Sequence, residues 1–183
     1  DYLAVHTLNT NRSRMDYFQR RTIHQLIQLR PDGSAQVTRT VRLANPVPPS
    51  EPLNDGVQDG YASGRAAAVL ATYLPPGASL EQANLNGRPV RRSVVAEGGR
   101  PLVRVGLDLA PGQTASLTLR YLTPKAAATN QGFRYRVTAD PQVLVRPPSL
   151  RVEVVAPPGM TILAPTGWAT QGATATLDQS FTD

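Results

Sequence analysis

The sequence predicts an all-β fold, an antiparallel β-sandwich of immunoglobulin-like type, on three observations. Apolar and polar residues alternate. In Thr114–Leu122, Ala115, Leu117, Leu119 and Tyr121 share one parity, while Thr114, Ser116, Thr118 and Arg120 share the other. Successive side chains of a strand point to opposite faces, so this run has one dry face and one wet face. Such runs recur at short spacing from Thr22 almost to the C-terminus, as in sandwiches and barrels. Gly, Pro, Asn or Asp closes each run, and the pairs Pro48-Pro49, Pro75-Pro76, Pro147-Pro148 and Pro157-Pro158 fall between apolar stretches as edges and connections.

Asp1–Arg21 reads as a lead-in, either a short helical turn or extended chain. Asn9, Asn11 and Ser13 are capping or turn residues, and Met15 and Phe18 lie three apart, on one side of a short helix. Thr22–Leu29 is a strand, Pro31-Asp32-Gly33 a turn, and Ala35–Ala44 the returning strand. Asn45–Gly64 is a long polar loop. Ala67–Leu74 is apolar. Ser79–Leu85 and Pro89–Val95 flank Asn86-Gly87, a dipeptide suited to the positive φ of a tight hairpin. Leu102–Leu109 and Thr114–Leu122 follow around Pro111-Gly112, and Pro124–Gln131 is a connection. Phe133–Ala139, Leu150–Ala156, Thr161–Leu163 and Ala173–Leu177 complete roughly ten strands by the alternation criterion. The organisation expected is a lead-in (1–21), a sandwich (22–123) and further strands (124–183). Those strands either enlarge the sandwich by packing on it or form a second small β domain.

The 183 residues are 40% apolar, which supplies a core without a second large domain. Cysteine is absent, which excludes disulfides, zinc–thiolate and iron–sulfur sites and thiol nucleophiles. Of the 19 cationic side chains only Lys125 is lysine, within a net charge of +6. With abundant Ala, Gly and Pro, that bias matches a GC-rich genome; Arg also suits bidentate anion binding. The chain opens on Asp1 with no leader or long apolar run and is read as a piece of a longer protein.

Chemistry-bearing residues are sparse. His6 and His24 have no neighbouring carboxylate pattern, so no metal spacing arises. Glu51, Asp55 and Asp59 cluster in the long loop but lack the closing bidentate Glu of a calcium loop. Glu97-Gly98-Gly99-Arg100 lies between strands and reads as a turn, because a phosphate cradle needs a strand–loop–helix setting. These readings give no catalytic residue, metal site or cofactor. Arg104, Arg120, Arg134, Arg136 and Arg151 fall on polar strand faces and form an anion-binding face if those strands are neighbours. Nucleic acid is not expected as a partner, with one Lys and few aromatics. Arg39 falls on the apolar parity of its strand and is expected near a sheet edge, snorkelling outward. Trp168 sits in a predicted loop, either presented for sugar stacking or folded back as a core plug.

Asn11-Arg12-Ser13-Arg14-Met15-Asp16-Tyr17-Phe18 resembles the signature preceding the last β region of domain-of-unknown-function family 4012. The order that follows is similar too: Pro31-Asp32-Gly33, Leu43-Ala44-Asn45, Tyr73-Leu74-Pro75-Pro76-Gly77-Ala78, Leu85-Asn86-Gly87-Arg88-Pro89-Val90, and Leu109-Ala110-Pro111-Gly112-Gln113-Thr114 before Leu117–Tyr121. The resemblance spans roughly Asn9–Pro158 and rests on turn-and-strand motifs. It implies the C-terminal portion of an exported, membrane-anchored envelope protein of high-GC Gram-positive bacteria, with the anchor upstream and no catalytic residues to transfer. The expected role is a non-catalytic module that contacts an unknown protein or envelope polymer. The alternative is a binding module for anionic glycans or lipid headgroups.

Overall fold

The computed structural model describes residues 1–11, 15–48, 64–129, 132–142 and 144–180. Among them are fifteen strands and one 3-10 turn, Met15–Tyr17. In chain order the strands are β1 (Tyr2–Asn9), β2 (Arg20–Leu29), β3 (Ala35–Ala44), β4 (Ala66–Tyr73), β5 (Ser79–Leu85), β6 (Arg88–Pro89), β7 (Ser93–Glu97) and β8 (Arg100–Leu109). There follow β9 (Thr114–Thr123), β10 (Ala127–Thr129), β11 (Gly132–Arg134), β12 (Thr138–Pro141), β13 (Ser149–Val155), β14 (Ala169–Gln171) and β15 (Thr174–Ser180).

They form a five-stranded sheet in the order β12-β1-β4-β8-β7, an eight-stranded sheet in the order β14-β15-β13-β2-β3-β9-β5-β6, and a β10-β11 ribbon. All pairings are antiparallel except β1–β12 and β2–β13. The inward parities of both large sheets meet in one core. The eight-stranded sheet contributes Ile23 and Ile27 of β2, Val37 and Val41 of β3, Leu117 and Leu119 of β9, and Leu150 and Val152 of β13. The five-stranded sheet contributes Leu3, Val5, Leu70, Val103 and Val105. Burying each such aliphatic side chain contributes about 1.5–3 kcal/mol. Asn86 (φ 51°) and Gly87 (φ 79°) both take positive φ, as the tight β5–β6 hairpin requires.

Several local expectations change. Pro89–Val95 is not one strand: Pro89 has no N–H to continue the ladder, and the run splits into β6 and β7, which lie in different sheets. The expected connection Pro124–Gln131 contains β10. Residues 1–21 are more than a lead-in: β1 lies inside the five-stranded sheet, with Leu3 and Val5 buried on the inner face and Ala4 buried on the outer. The outer parity is itself largely apolar, with Tyr2, Ala4 and Leu8, so the run lacks a clean apolar/polar alternation, which is why its pattern was not legible. Phe133–Ala139 is not one strand. It breaks into β11 and β12, and the intervening Tyr135 and Val137 pack on the core. Thr161–Leu163 is not a strand, and Leu163 is almost wholly exposed between the Pro157-Pro158 and Pro165 interruptions. The segment 124–183 supplies β13 and β15 to the same sheet as β2, and its Leu150, Val152 and Val154 join the common core.

Candidate functional site

The polar residues with the least solvent access lie between the sheets. Arg21, Gln25 and Arg39 share the inward parity of the β2–β3 hairpin with Ile23, Ile27, Val37 and Val41, and Gln25 is the direct cross-strand partner of Arg39. The expectation that Arg39 snorkels at an edge is corrected. β3 sits between β2 and β9, well inside the sheet, and Arg39 is 0% exposed.

Arg39 points across the sandwich. Its Nε donates to Gln25 Oε1 at 2.7 Å, and Nη1 donates to Thr72 Oγ1 at 2.8 Å and to the Tyr73 carbonyl at 2.7 Å. Nη2 donates to the Tyr2 carbonyl and to Tyr121 Oη, each at 2.8 Å. A guanidinium has five N–H groups, and here each has an acceptor. Two acceptors come from the eight-stranded sheet and three from β1 and β4 of the opposite sheet. The Asp1 carboxylate, likewise without solvent exposure, completes the cluster 3.9 Å from Arg39 Nη2. Asp1 accepts from Gln25 Nε2 at 2.8 Å and from Tyr121 Oη at 3.1 Å. Burial lowers the pKa of Arg39 and raises that of Tyr121. Tyr135 borders the same cluster, and burial pushes its phenol up to about 12. Its Oη lies against Thr123 without a hydrogen bond of normal geometry.

Arg21 makes a second crossing from β2 to β1. Nη1 donates to the Val5 carbonyl at 2.6 Å, and Nη2 donates to Thr7 Oγ1 at 2.7 Å and to Gln142 Oε1 at 2.9 Å. Its Nε has no partner, and burial lowers its pKa to about 10. The Gln142 amide accepts from the Thr7 N–H at 2.8 Å and donates to the Thr7 carbonyl at 3.1 Å. It thereby continues, with a side chain, the pairing that β12 ends at Pro141.

The outer face of the eight-stranded sheet is flat and polar. Register aligns Asp178, Arg151, His24, Thr40, Thr118 and Asn84 in one row across six strands. Ser180, Ser149, Thr22, Arg42 and Ser116 form the next row. The second row and the Asp178–Arg151–His24–Thr40 part of the first line an open groove of about 540 Å³. Arg151 donates to Glu153 at 2.7 Å and to Asp178 at 3.1 Å, and the hydrogen bond from Arg151 lowers the pKa of Glu153. His24 Nε2 stands 3.7 Å from the same Glu153. Arg42 has no ion pair among the described residues.

The five arginines read as one face do not come together. Arg104 lies on the five-stranded sheet, 3.3 Å from Glu97. Arg120 and Arg151 lie on the eight-stranded sheet, but β2 and β3 separate their strands, and each faces a carboxylate. Arg134 ends β11 in the small ribbon, and Arg136 lies beyond it, its carbonyl accepting from the Asp1 nitrogen. Trp168 is half-buried against the core, which is the core-plug arrangement. His6 lies on the outer face of the five-stranded sheet, its ring edge-on to Tyr73 at 5.8 Å. Glu51, Asp55 and Asp59 lie outside the described residues. Among the described residues no three His, Cys, Asp or Glu side chains group to hold a metal ion. Sequence reasoning missed Asp1, Arg21, Gln25, Thr72, Tyr121 and Gln142. The available signal was the set of polar residues on the apolar parity of β2 and β3.

No protein-family profile and no curated protein sequence matches this chain. Solved structures similar to it include a yeast LTA4 hydrolase in complex with bestatin, at 10% identity and a TM-score of 0.51, covering 88% of this chain and 26% of the hydrolase. A putative nutrient binding protein from Legionella pneumophila is 13% identical with a TM-score of 0.47, over 97% of this chain and 68% of that one. An M1 zinc metallopeptidase from Deinococcus radiodurans is 18% identical with a TM-score of 0.40, over 88% of this chain and 38% of the peptidase. The chain thus spans under half the length of either of these two enzymes, and what it shares with the yeast hydrolase is the fold.

Proposed function

We propose that this chain is a non-catalytic β-sandwich module of a bacterial envelope protein, placed outside the cytoplasmic membrane, with a structural or partner-binding role. The carrying observation is the state of Arg39: its five donors are occupied by the protein's own two sheets. A guanidinium so engaged has no donor left for a substrate, and its acceptors are fixed with it. The polar interior therefore joins the two layers. The extracytoplasmic placement is supported by the resemblance of the Asn11–Phe18 run and the turn motifs after it to the envelope family.

Two measurements test the reading. Thermal unfolding of the purified chain is expected to be unchanged by a chelator, and a large fall in Tm on chelation would overturn it. A reporter fused after Ser180 in the full-length parent is expected to be active only outside the cytoplasm. Cytoplasmic activity would overturn the placement.

The groove on the eight-stranded sheet favours a second reading, recognition of an anionic glycan or lipid headgroup. There Arg42 is free of ion pairs among the described residues and flanked by Thr22, Thr40 and Ser116. The electrostatic part of such binding weakens with salt. Retention on an acidic glycan resin should fall as salt rises and be lost in Arg42→Glu; salt-independent retention rules this reading out.

A further inference from the structure

We infer that β7 is a self-association edge, at which two copies of this chain join their five-stranded sheets antiparallel about a two-fold axis. The inference depends neither on where the module resides nor on which partner the groove takes. β7 ends the five-stranded sheet, and all five of its residues are exposed. Its backbone orientation follows from its neighbours. Leu74 N donates to the Pro101 carbonyl at 2.9 Å, so Pro101 turns its backbone toward the β4 side. Backbone direction alternates along an antiparallel strand, so Arg100, Leu102 and Arg104 face β7. Their partners Glu97, Val95 and Ser93 are consumed by β8. Val94 and Ala96 therefore present their N–H and C=O groups to the open side, with Arg92 in phase just before the strand.

Soluble proteins blunt such edges, because an open row of donors and acceptors templates pairing. The other sheet does so, ending in strands of three and two residues, β14 and β6. β7 instead carries two adjacent exposed valines, Val94 and Val95. Its occupant is indicated by its charges. The stretch runs Arg91-Arg92-Ser93-Val94-Val95-Ala96-Glu97, basic at one end and acidic at the other. Laid antiparallel on itself with Val94 opposite Val94 of the second copy, the open backbone groups of Arg92 and Ala96 meet in register. Arg91 then faces Glu97 of the second copy, and the two-fold axis repeats that pair, as an isologous contact requires. Arg91 and Arg92 have no ion pair among the described residues, while Glu97 holds the Tyr73 hydroxyl and Arg104 on the same face. Opposite charges directly across a ladder favour the register, and like charges oppose it.

The test is sedimentation velocity on the purified chain at low salt, from roughly 10 μM to 1 mM, the range suited to a small, transient interface. The expected result is a monomer–dimer equilibrium. Val94→Pro deletes a donor that β8 does not use, so it should leave the fold intact while abolishing the dimer. Arg91→Glu should weaken association by about tenfold, and by less in high salt. Hydrogen exchange on the unaltered chain reads the edge directly. The Val94 and Ala96 amides should gain protection as concentration rises, with Val95 protected throughout. A monomer at the top concentration with fast Val94 and Ala96 exchange overturns the inference, as does a dimer unaffected by Val94→Pro.

Discussion

Arg39 and Arg21 make the same crossing from the eight-stranded sheet to the five-stranded one, yet they are unequally provided for. Arg39 has five acceptors and a buried carboxylate; Arg21 has three acceptors, an unpartnered Nε and no ion pair among the described residues. Desolvating a guanidinium costs several kcal/mol, and hydrogen bonds and opposite charge offset that cost only when nearly complete. The difference teaches that the Arg39 centre joins the layers, whereas Arg21, with its Nε unpartnered, is a buried cation only partly compensated beside the β1–Gln142 pairing.

Matched substitutions should break or sharpen this contrast. Arg39→Met, the largest expected effect, removes the cation beside the buried Asp1 carboxylate and takes the Arg39 donor from Gln25 Oε1, Thr72 Oγ1, Tyr121 Oη and two backbone carbonyls. It should cost about 3–5 kcal/mol of unfolding free energy in a denaturant titration. Arg21→Met removes a charge that was only partly compensated, and Thr7 keeps its hydrogen bond to Gln19. It should cost about 1–2 kcal/mol. If Arg21→Met costs more than Arg39→Met, the distinction collapses.

Alkaline pH separates the same neighbourhoods by sign. Tyr135 is held near 12, above its unfolded value of about 10. Between those values the folded state keeps a proton that the unfolded state has lost. The contribution of Tyr135 is therefore full below pH 10 and declines as pH climbs toward 12. Arg21 is held near 10, well below an ordinary guanidinium, so over the same window the unfolded state binds the extra proton and the cost of burying Arg21 is relieved. Stability between pH 9 and 11 (denaturant midpoints suffice) should fall more gently in Tyr135→Phe and more steeply in Arg21→Met than in the unaltered chain. The expected differences are on the order of 1 kcal/mol across the accessible part of the window. Identical slopes in both variants would show that neither group carries the titration.

The smallest effect belongs to the exterior. Arg65 meets Asp108 in a two-pronged pair at 2.7 and 2.9 Å, but both side chains are at least a third exposed. Arg65→Ala should shift stability by less than about 1 kcal/mol, and less still in high salt. A larger loss would place the adhesive role of arginine outside the sandwich as well as within it.

Strand existence was legible where one face is dry and the other wet, as in β2, β3 and β9. β3 occupies the expected Ala35–Ala44, and β9 ends one residue beyond the expected Leu122. The Asn86-Gly87 hairpin was legible because its backbone angles demand those residues. β1 was hidden because apolar residues occupy both of its parities. The Arg39 centre was half legible. A cation on an apolar parity announced an anomaly, but its acceptors lie up to 82 residues away, and two are backbone carbonyls that any residue supplies. The five-arginine face failed for a related reason. Alternation fixes which side of a strand a residue takes, and strand order decides whether two strands are neighbours.

The parallel junction of β2 with β13 has a consequence for biosynthesis. Ile23 meets Leu150 across that junction, so a ribosome must deliver β13 before β2 finds its second neighbour. Until then a nascent chain displays a ten-residue ribbon with one unclaimed border, and contacts so distant in sequence form slowly. A stalled or clipped product ending at Thr123 would retain the partners of Arg39 yet keep that border open, making it a ready substrate for chaperones or a seed for aggregation.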